Sequence, residues 1–282
     1  MSKMRVGVIG YGFVGKALCN ALKKNVKVLK IDPILNTKID DLVDFNPDIC
    51  FICVPTPMNI DGSQDTSILE QVFTEINKYL LSSLIVLKST VLPSYINILQ
   101  KKNPNLLFNP EFLRENSANE DFINSKLIIL GGPKEKTKLL AAFYSEHTKC
   151  KTKDYQFTDI TSASLVKYSI NTFLSTKVTF FNELHQIFTN SGSYESWEKF
   201  INIISKDLRI GNSHMQVPGA DGKFGFGGPC FPKDNNALIK YSEDIGKPFK
   251  LLKTSQAINN KIRRSYESLT DREIQQNISY ED

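Results

Sequence analysis

Cys230 lies in KFGFGGPCFPKD (residues 223–234), where three glycines, two prolines and three phenylalanines surround one thiol, with Lys233 and Asp234 just behind it. That mixture is too crowded for a flexible linker and too glycine-rich for a helix or strand. Upstream, KYSIN carries Lys167 and Asn171 at i, i+4, one face of a helix. NPEFLRE carries Glu111 and Glu115, and KSTV carries Thr90. Together these types suit covalent catalysis beside a hydride acceptor. An alcohol oxidised to an aldehyde is captured by a thiolate as a thiohemiacetal. A second hydride loss makes a thioester, and water releases a carboxylate. Lys167 and Asn171 suit oxyanion stabilisation, and Glu111 and Asp234 suit the handling of water and protons. Each group also has a plainer reading. Lys167 and Asn171 fit an exposed helix face, Glu111 and Glu115 a helix start, and Cys230 a small buried apolar residue.

The hydride acceptor has its own signal. GYGFVG is a G-x-G-x-x-G in which Gly10, Gly12 and Gly15 frame Phe13 and Val14, directly after a strand-like run and before a helical one. Such a turn lets backbone approach a pyrophosphate, and the helix N-terminus supplies N–H donors. Asp32 ends the next strand about 20 residues on, placed to accept from a ribose 2′-hydroxyl and to repel a 2′-phosphate. The cofactor implied is NAD rather than NADP. A glycine turn that only packs a helix on a strand is the alternative. Thr56, Ser89 and Thr90 stand at other strand ends, facing the same crevice or capping helices.

The elements that position these groups fall into two parts. Strand-like runs at 4–10, 26–32, 48–54, 84–90, 105–109 and 126–132 alternate with helical stretches such as 13–24 and 66–80. The fold class is α/β: a Rossmann-type, doubly wound parallel sheet covered on both faces, followed by an all-helical domain. Residues 159–190 read as one long helix, with further helices at 196–207, 234–246 and 249–268. Asp234 is expected to open the third of these. The expected domains are 1–155 for NAD, 156–268 for the helical part with the cysteine loop, and a polar tail at 269–282 that frays.

Composition narrows the partners. A net charge of +5 spread over 282 residues argues against nucleic acid. No apolar run is long enough for a membrane span, and MSKMRVGVIGYG lacks a signal-peptide cleavage region, so the expected location is cytoplasmic. Five cysteines, an odd number, do not suit a secreted disulfide framework. Cys50 and Cys53 form a C-x-x-C inside a strand-like run, where residues three apart face opposite ways. They read as buried strand residues, and no metal is implied.

The whole sequence resembles the UDP-glucose/GDP-mannose dehydrogenase family, UDP-glucose 6-dehydrogenases above all. GVIGYGFVG, CVPTP, KSTV, NPEFLRE, LVKYSINTFLSTKVTFFNE, RIG and GFGGPCFPKD occur in that order along nearly the full chain. The resemblance implies oxidation of UDP-glucose to UDP-glucuronate with two NAD consumed. Cys230 then matches the nucleophile, Lys167 and Asn171 the oxyanion pair, and Asp234 the carboxylate supporting cysteine and water. Glu111 matches an acid/base residue and Thr90 one that holds water and cofactor. Glu115 and Lys233 are similar to residues near the cofactor. Phe112, Leu113 and Gly227 are similar to parts of the sugar-nucleotide pocket. Arg209 matches an arginine that reaches a neighbouring subunit's substrate, which implies a homodimer built on the long helix.

Two departures stand out. The family continues beyond the helix at 249–268 into a second α/β domain that grips the nucleotide, and the sequence stops at Asp282, so that domain is expected to be absent. The loop before the cysteine is longer by ADGK than in many relatives, and Ser164 stands where an acidic residue often precedes the lysine. Other readings are a GDP-mannose or UDP-N-acetyl-hexosamine dehydrogenase, a single-step hydroxyacid dehydrogenase without use for the cysteine, and a non-catalytic nucleotide-sugar-binding subunit.

Overall fold

β-Branched and apolar runs in the first half pair into one sheet. The structure, a computed structural model, describes residues 3–79, 82–266 and 268–281. Leu80, Glu267 and Asp282, which the sequence places in helices or the tail, lie outside the described residues. The chain divides into two units, Met1–Thr56 with Asp65–Lys167 and Pro57–Gln64 with Tyr168–Asp282.

The first unit holds strands β1 (Met4–Ile9), β2 (Val26–Ile31), β3 (Ile49–Ile52), β4 (Leu84–Leu87), β5 (Leu107–Phe108), β6 (Ile128–Gly131) and β7 (Tyr155–Thr158). Its helices are α1 (Phe13–Ala21), α2 (Asp41–Phe45), α3 (Ser67–Lys78), α4 (Pro93–Lys102), α5 (Ala118–Ile123) and α6 (Lys134–His147). The strand order is β2-β1-β3-β4-β5-β6-β7. The chain leaves β1 for β2 on one side, then returns past β1 to β3 on the other. The carboxyl ends of β1 and β3 therefore flank a crevice, the usual ligand position in such sheets.

Strands β1–β5 are parallel, as expected. β6 is not: it pairs antiparallel with β5 at Phe108–Gly131, and β7 follows parallel to β6. Alternation of strand and helix in sequence reports a connection but not which edge it returns to. The segment from 109 to 127 stays at the end where β5 stops, so β6 starts there and runs back.

Period-two alternation divides the core between two faces. Cys50, Ile52, Ile85, Leu87 and Phe108 point to one side, against Leu69, Phe73 and Ile76 of α3 and Ile96 of α4. Val6, Val8, Phe51, Val86 and Leu107 point to the other, against Leu18 of α1, Phe122 of α5 and Tyr144 of α6. Burying both faces is why the strands read as near-continuous apolar runs.

The division between units falls within α7 (Ile160–Thr189). The second unit also holds α8 (Trp197–Ile204), α9 (Phe231–Asp244), α10 (Lys250–Arg263) and α11 (Asp271–Gln275). Ser196 caps α8 by accepting from the Lys199 N–H. Ile201 of α8 packs with Phe181, Met215 and Val217. α7 buries polar residues at helical spacing, Asn171, Ser175, Thr179 and Asn182. Each is hydrogen-bonded: Ser175 Oγ donates to Asn235 Oδ1 at 2.8 Å, and Thr179 Oγ1 accepts from the Ser255 hydroxyl at 2.9 Å.

Two further expectations need correction. α9 starts at Phe231 with Cys230 as its N-cap, three residues before the expected start at Asp234. Pro232 does not delay it, because proline suits the first helical turn, where its missing N–H has no partner to lose. The segment expected to fray contains α11, opened by a capping box between Thr270 and Glu273. Glu273, Ile278 and Tyr280 are buried.

Candidate active site

In the first unit the glycine turn is shaped by contacts that exclude side chains. Gly10 has φ +91°, and a Cβ there would lie 2.7 Å from the Cys53 carbonyl carbon and oxygen. A Cβ on Gly15 would overlap the Gly10 carbonyl oxygen. Gly12 is different. It is the N-cap of α1, brings no side chain to the cap, and has nothing within 4 Å of where a Cβ would be. Phe13 and Val14 are the first two residues of that helix. Asp32 locks the turn to the end of β2: its Oδ2 accepts the Tyr11 N–H at 2.7 Å and its Oδ1 the Ile34 N–H at 3.0 Å. Cys50 lies in β3 and Cys53 one residue past its end. Burial pushes both thiols up to about 12, the ordinary result of desolvation.

Thr56 is buried and donates to the Thr90 carbonyl at 2.9 Å, joining the segments after β3 and β4. Glu111 and Lys167 form an ion pair at 3.2 Å, with side chains only 9% and 4% exposed. Lys167 Nζ also donates to the Glu111 carbonyl and stands 5.2 Å over the Phe112 ring. The second Glu111 oxygen accepts the Leu113 N–H at 2.6 Å. Glu111, Phe112, Leu113 and Lys167 thus form one cluster. Glu115 begins a 3-10 turn on the surface.

In the second unit the cysteine loop is assembled from distant donors and acceptors. Cys230 is half-buried at the N-cap of α9, and the Asp234 N–H donates to its carbonyl at 3.0 Å. Asp234 is 1% exposed. Its Oδ2 accepts from Asn171 Nδ2 at 2.6 Å and its Oδ1 from Lys233 Nζ at 2.6 Å. Gly227 lies so close to the Arg263 guanidinium that a Cβ would overlap it. Arg209 stands apart. Its side chain is 89% exposed and bidentate to Asp207, in the turns after α8.

Comparisons with known proteins find matches in both halves of the chain. The NAD binding domain of the UDP-glucose/GDP-mannose dehydrogenase family matches residues 35–148, and that family's central domain matches residues 161–261. UDP-glucose 6-dehydrogenase of Rickettsia prowazekii is 31% identical over 93% of this chain and 68% of its own length. This chain belongs to the UDP-glucose/GDP-mannose dehydrogenase family. UDP-glucose 6-dehydrogenase TuaD of Bacillus subtilis is 28% identical over 92% of this chain, which spans 63% of that relative. The structure of a UDP-glucose dehydrogenase from Pyrobaculum islandicum superposes with a TM-score of 0.76 at 25% identity, over 93% of this chain and 69% of that one.

As a member of this family, the chain carries an NAD binding domain, matched over residues 35–148, and the β1–α1 turn and the end of β2 lie just ahead of that match. The residues there fit the cofactor. The open space at Gly12, the α1 N-terminus behind it and the Asp32 carboxylate at the end of β2 are the features a pyrophosphate and a ribose diol require.

Several residues that shape the two clusters are absent from the sequence reading. Lys88 is buried, and desolvation lowers its pKa. Its Nζ donates to the Asn109 carbonyl at 3.1 Å and side-chain oxygen at 2.9 Å, which anchors the start of NPEFLRE. Asn182 accepts the Gly225 N–H at 2.8 Å, and Asn259 brackets Phe226, accepting its N–H at 2.6 Å and donating to its carbonyl at 2.9 Å. The polar stripe along an otherwise apolar α7 is the one signal that pointed to Asn182. Asn259, Arg263 and Glu273 have no local signal for their contacts with the cysteine loop, which span 33 to 45 residues.

Proposed function

We propose that this protein oxidises the C6 alcohol of a UDP-hexose to a carboxylate, UDP-glucose to UDP-glucuronate in the leading case, with two NAD and one water consumed and two NADH and three protons released. The observation that carries the reading is Cys230 at the N-cap of α9, one turn before a buried Asp234 held by Asn171 and Lys233. A single-step dehydrogenase has no use for that thiol. The family match and the UDP-glucose 6-dehydrogenase names of its relatives support the same substrate class.

NAD, when bound on the Gly10–Gly15 turn, supplies the hydride acceptor. Loss of hydride from C6 and of the hydroxyl proton gives the aldehyde. The Cys230 thiolate adds to the aldehyde carbon, a C–S bond forms, and the oxygen takes up a proton. Loss of a second hydride and that proton leaves a thioester. Water attacks the thioester carbon, the C–S bond breaks, and the thiolate returns. In the first unit, the Lys167 ammonium supplies a fixed cation for developing oxyanions and Glu111 a carboxylate for proton transfer. Thr90 holds water and cofactor. In the second unit, Asn171 is an amide donor and Asp234 keeps the thiol and water in their working protonation states. Phe112 and Leu113 of the first unit and Gly227 of the second are assigned as substrate contacts, Glu115 and Lys233 as cofactor contacts, and Arg209 as a substrate contact offered to a second copy.

That second copy has support on α7. Phe173, Phe180 and Ile187, spaced by seven, are 68%, 59% and 66% exposed. Such an apolar stripe fits burial against another helix, and we assign it to a homodimer.

NADH formation over a panel of UDP- and GDP-sugars tests the reading, with NADH counted per sugar. Two per UDP-glucose supports the thioester route, and one excludes it. A GDP-sugar as the best substrate would transfer the assignment to the GDP-mannose branch. Tight binding without NADH would favour a binding subunit.

A further inference from the structure

The turn that presents Cys230 is held from behind by residues that follow the matched central domain, which ends at residue 261. Glu273 of α11 is fully buried. Its two oxygens face different groups. Oε2 accepts the Thr270 N–H at 2.8 Å and hydroxyl at 2.9 Å, completing the capping box. Oε1 accepts the Gly228 N–H at 2.9 Å and the Tyr280 hydroxyl at 2.6 Å, with Arg263 Nη2 at 3.5 Å. Gly228 is two residues before Cys230 and has φ +79°. Arg263 is itself fixed, donating to Asp221 at 2.8 Å with its guanidinium over the rings of Tyr266 and Tyr280.

Capping α11 uses only one of these oxygens. The other is spent on the cysteine loop, at a glycine whose neighbour Gly227 already touches Arg263. Burial raises the Glu273 carboxyl, but donors from Thr270, Tyr280 and Gly228 outweigh it and bring it to about 2. The group is therefore an anion at working pH, a strong acceptor for an amide.

We propose that Glu273 is a positioning residue for Cys230: through the Gly228 N–H it fixes the turn that ends at the N-cap of α9 and so sets the direction of the thiol. The inference rests on the reading of Cys230 as nucleophile. Glu273→Gln tests it, because a carboxamide has one oxygen and cannot satisfy both the Thr270 side and the Gly228 side. Thr270→Ala is the comparison, since it weakens the capping box and leaves Oε1 in place.

Two readouts are needed: alkylation of Cys230 by iodoacetamide, followed on its own peptide, and kcat and KM for NADH formation from UDP-glucose. In Glu273→Gln, alkylation slows by roughly ten-fold and kcat falls by roughly ten- to a hundred-fold with KM within about three-fold. Thr270→Ala lowers Tm and leaves both rates as in the native protein. Native rates in Glu273→Gln, or equal losses in the two variants, would overturn the proposal. The alkylation arm does not depend on turnover. If native protein forms no NADH, the functional reading fails while the Glu273 effect is still decided. Should Glu273→Gln not fold, hydrogen exchange of the native Gly228 amide decides instead. Protection of about a hundred-fold or more supports the contact, and exchange at the open-chain rate overturns it.

Discussion

Asn171 Nδ2 donates to Asp234 Oδ2 at 2.6 Å, and both side chains are buried. This bond joins the middle of α7 to the first turn of the helix that Cys230 caps. Asn171→Leu keeps the volume but leaves a buried carboxylate oxygen without its donor. The expected cost is about 1–3 kcal/mol in urea unfolding, with kcat lower by roughly a hundred-fold. Adding Asp234→Leu should recover part of the stability and none of the activity. An unchanged unfolding midpoint in the single variant would show that the bond contributes nothing.

Gly10 and Gly12 separate folding from cofactor binding. Gly10→Ala forces a Cβ to 2.7 Å from the Cys53 backbone at φ +91°. It should destabilise by about 2–4 kcal/mol. Gly12→Ala meets nothing within 4 Å. Its stability should stay within about 0.5 kcal/mol of native, while the NADH Kd rises roughly ten-fold or more because the methyl group fills space the pyrophosphate needs. Calorimetric titration with NADH checks both, and equal affinity in Gly12→Ala would place the cofactor elsewhere.

Cys230→Ser removes the thiolate and keeps the N-cap position. Overall NADH formation from UDP-glucose should fall by roughly a thousand-fold, with the aldehyde as the only oxidised sugar found by mass spectrometry. Native turnover with two NADH per sugar in this variant would remove the thioester from the mechanism.

The acid side of stability should carry the signature of Glu273. Its carboxyl titrates near 2 when folded, against an ordinary value of 4.5. A lowered folded value stabilises above the ordinary one and is lost as pH falls from about 5 toward 2. The Tm difference between native protein and Glu273→Gln should therefore be constant near neutrality and shrink below about pH 5. A difference that grows on acidification would mean that Glu273 is not the anion described.

Phe180→Glu places a charge in the α7 stripe. Sedimentation should show a monomer for the variant and a dimer for the native chain, with the unfolding midpoint nearly unchanged because Phe180 is 59% exposed. A native monomer would withdraw the stripe from the dimer.

Much of the first unit is legible from local chemistry. Val6, Val8, Phe51 and Val86 mark buried strands because such residues fit a sheet packed on both faces. Gly10, Gly12, Gly15 and Asp32 mark the turn because their spacing is fixed by a strand, a turn and a helix in succession. The direction of β6 is not legible: it depends on where the connection from β5 returns, and no residue type in the segment encodes that. The start of α9 is not legible either, because two prolines and three glycines mask a helix that opens on the cysteine itself.

By itself, the sequence determined which groups the chain has for chemistry: a glycine turn with an acidic partner, a lysine and asparagine one helical turn apart, and a cysteine in a stiff glycine-rich loop. Those signals are local, set by spacing along one element. The tertiary structure alone decided what holds them. Lys88 beneath Asn109, Asn259 around Phe226 and Glu273 behind Gly228 act across 21 to 45 residues of chain. A polar tail and an asparagine in a helix look like solvated surface until the fold buries them, and once buried their hydrogen bonds must be met.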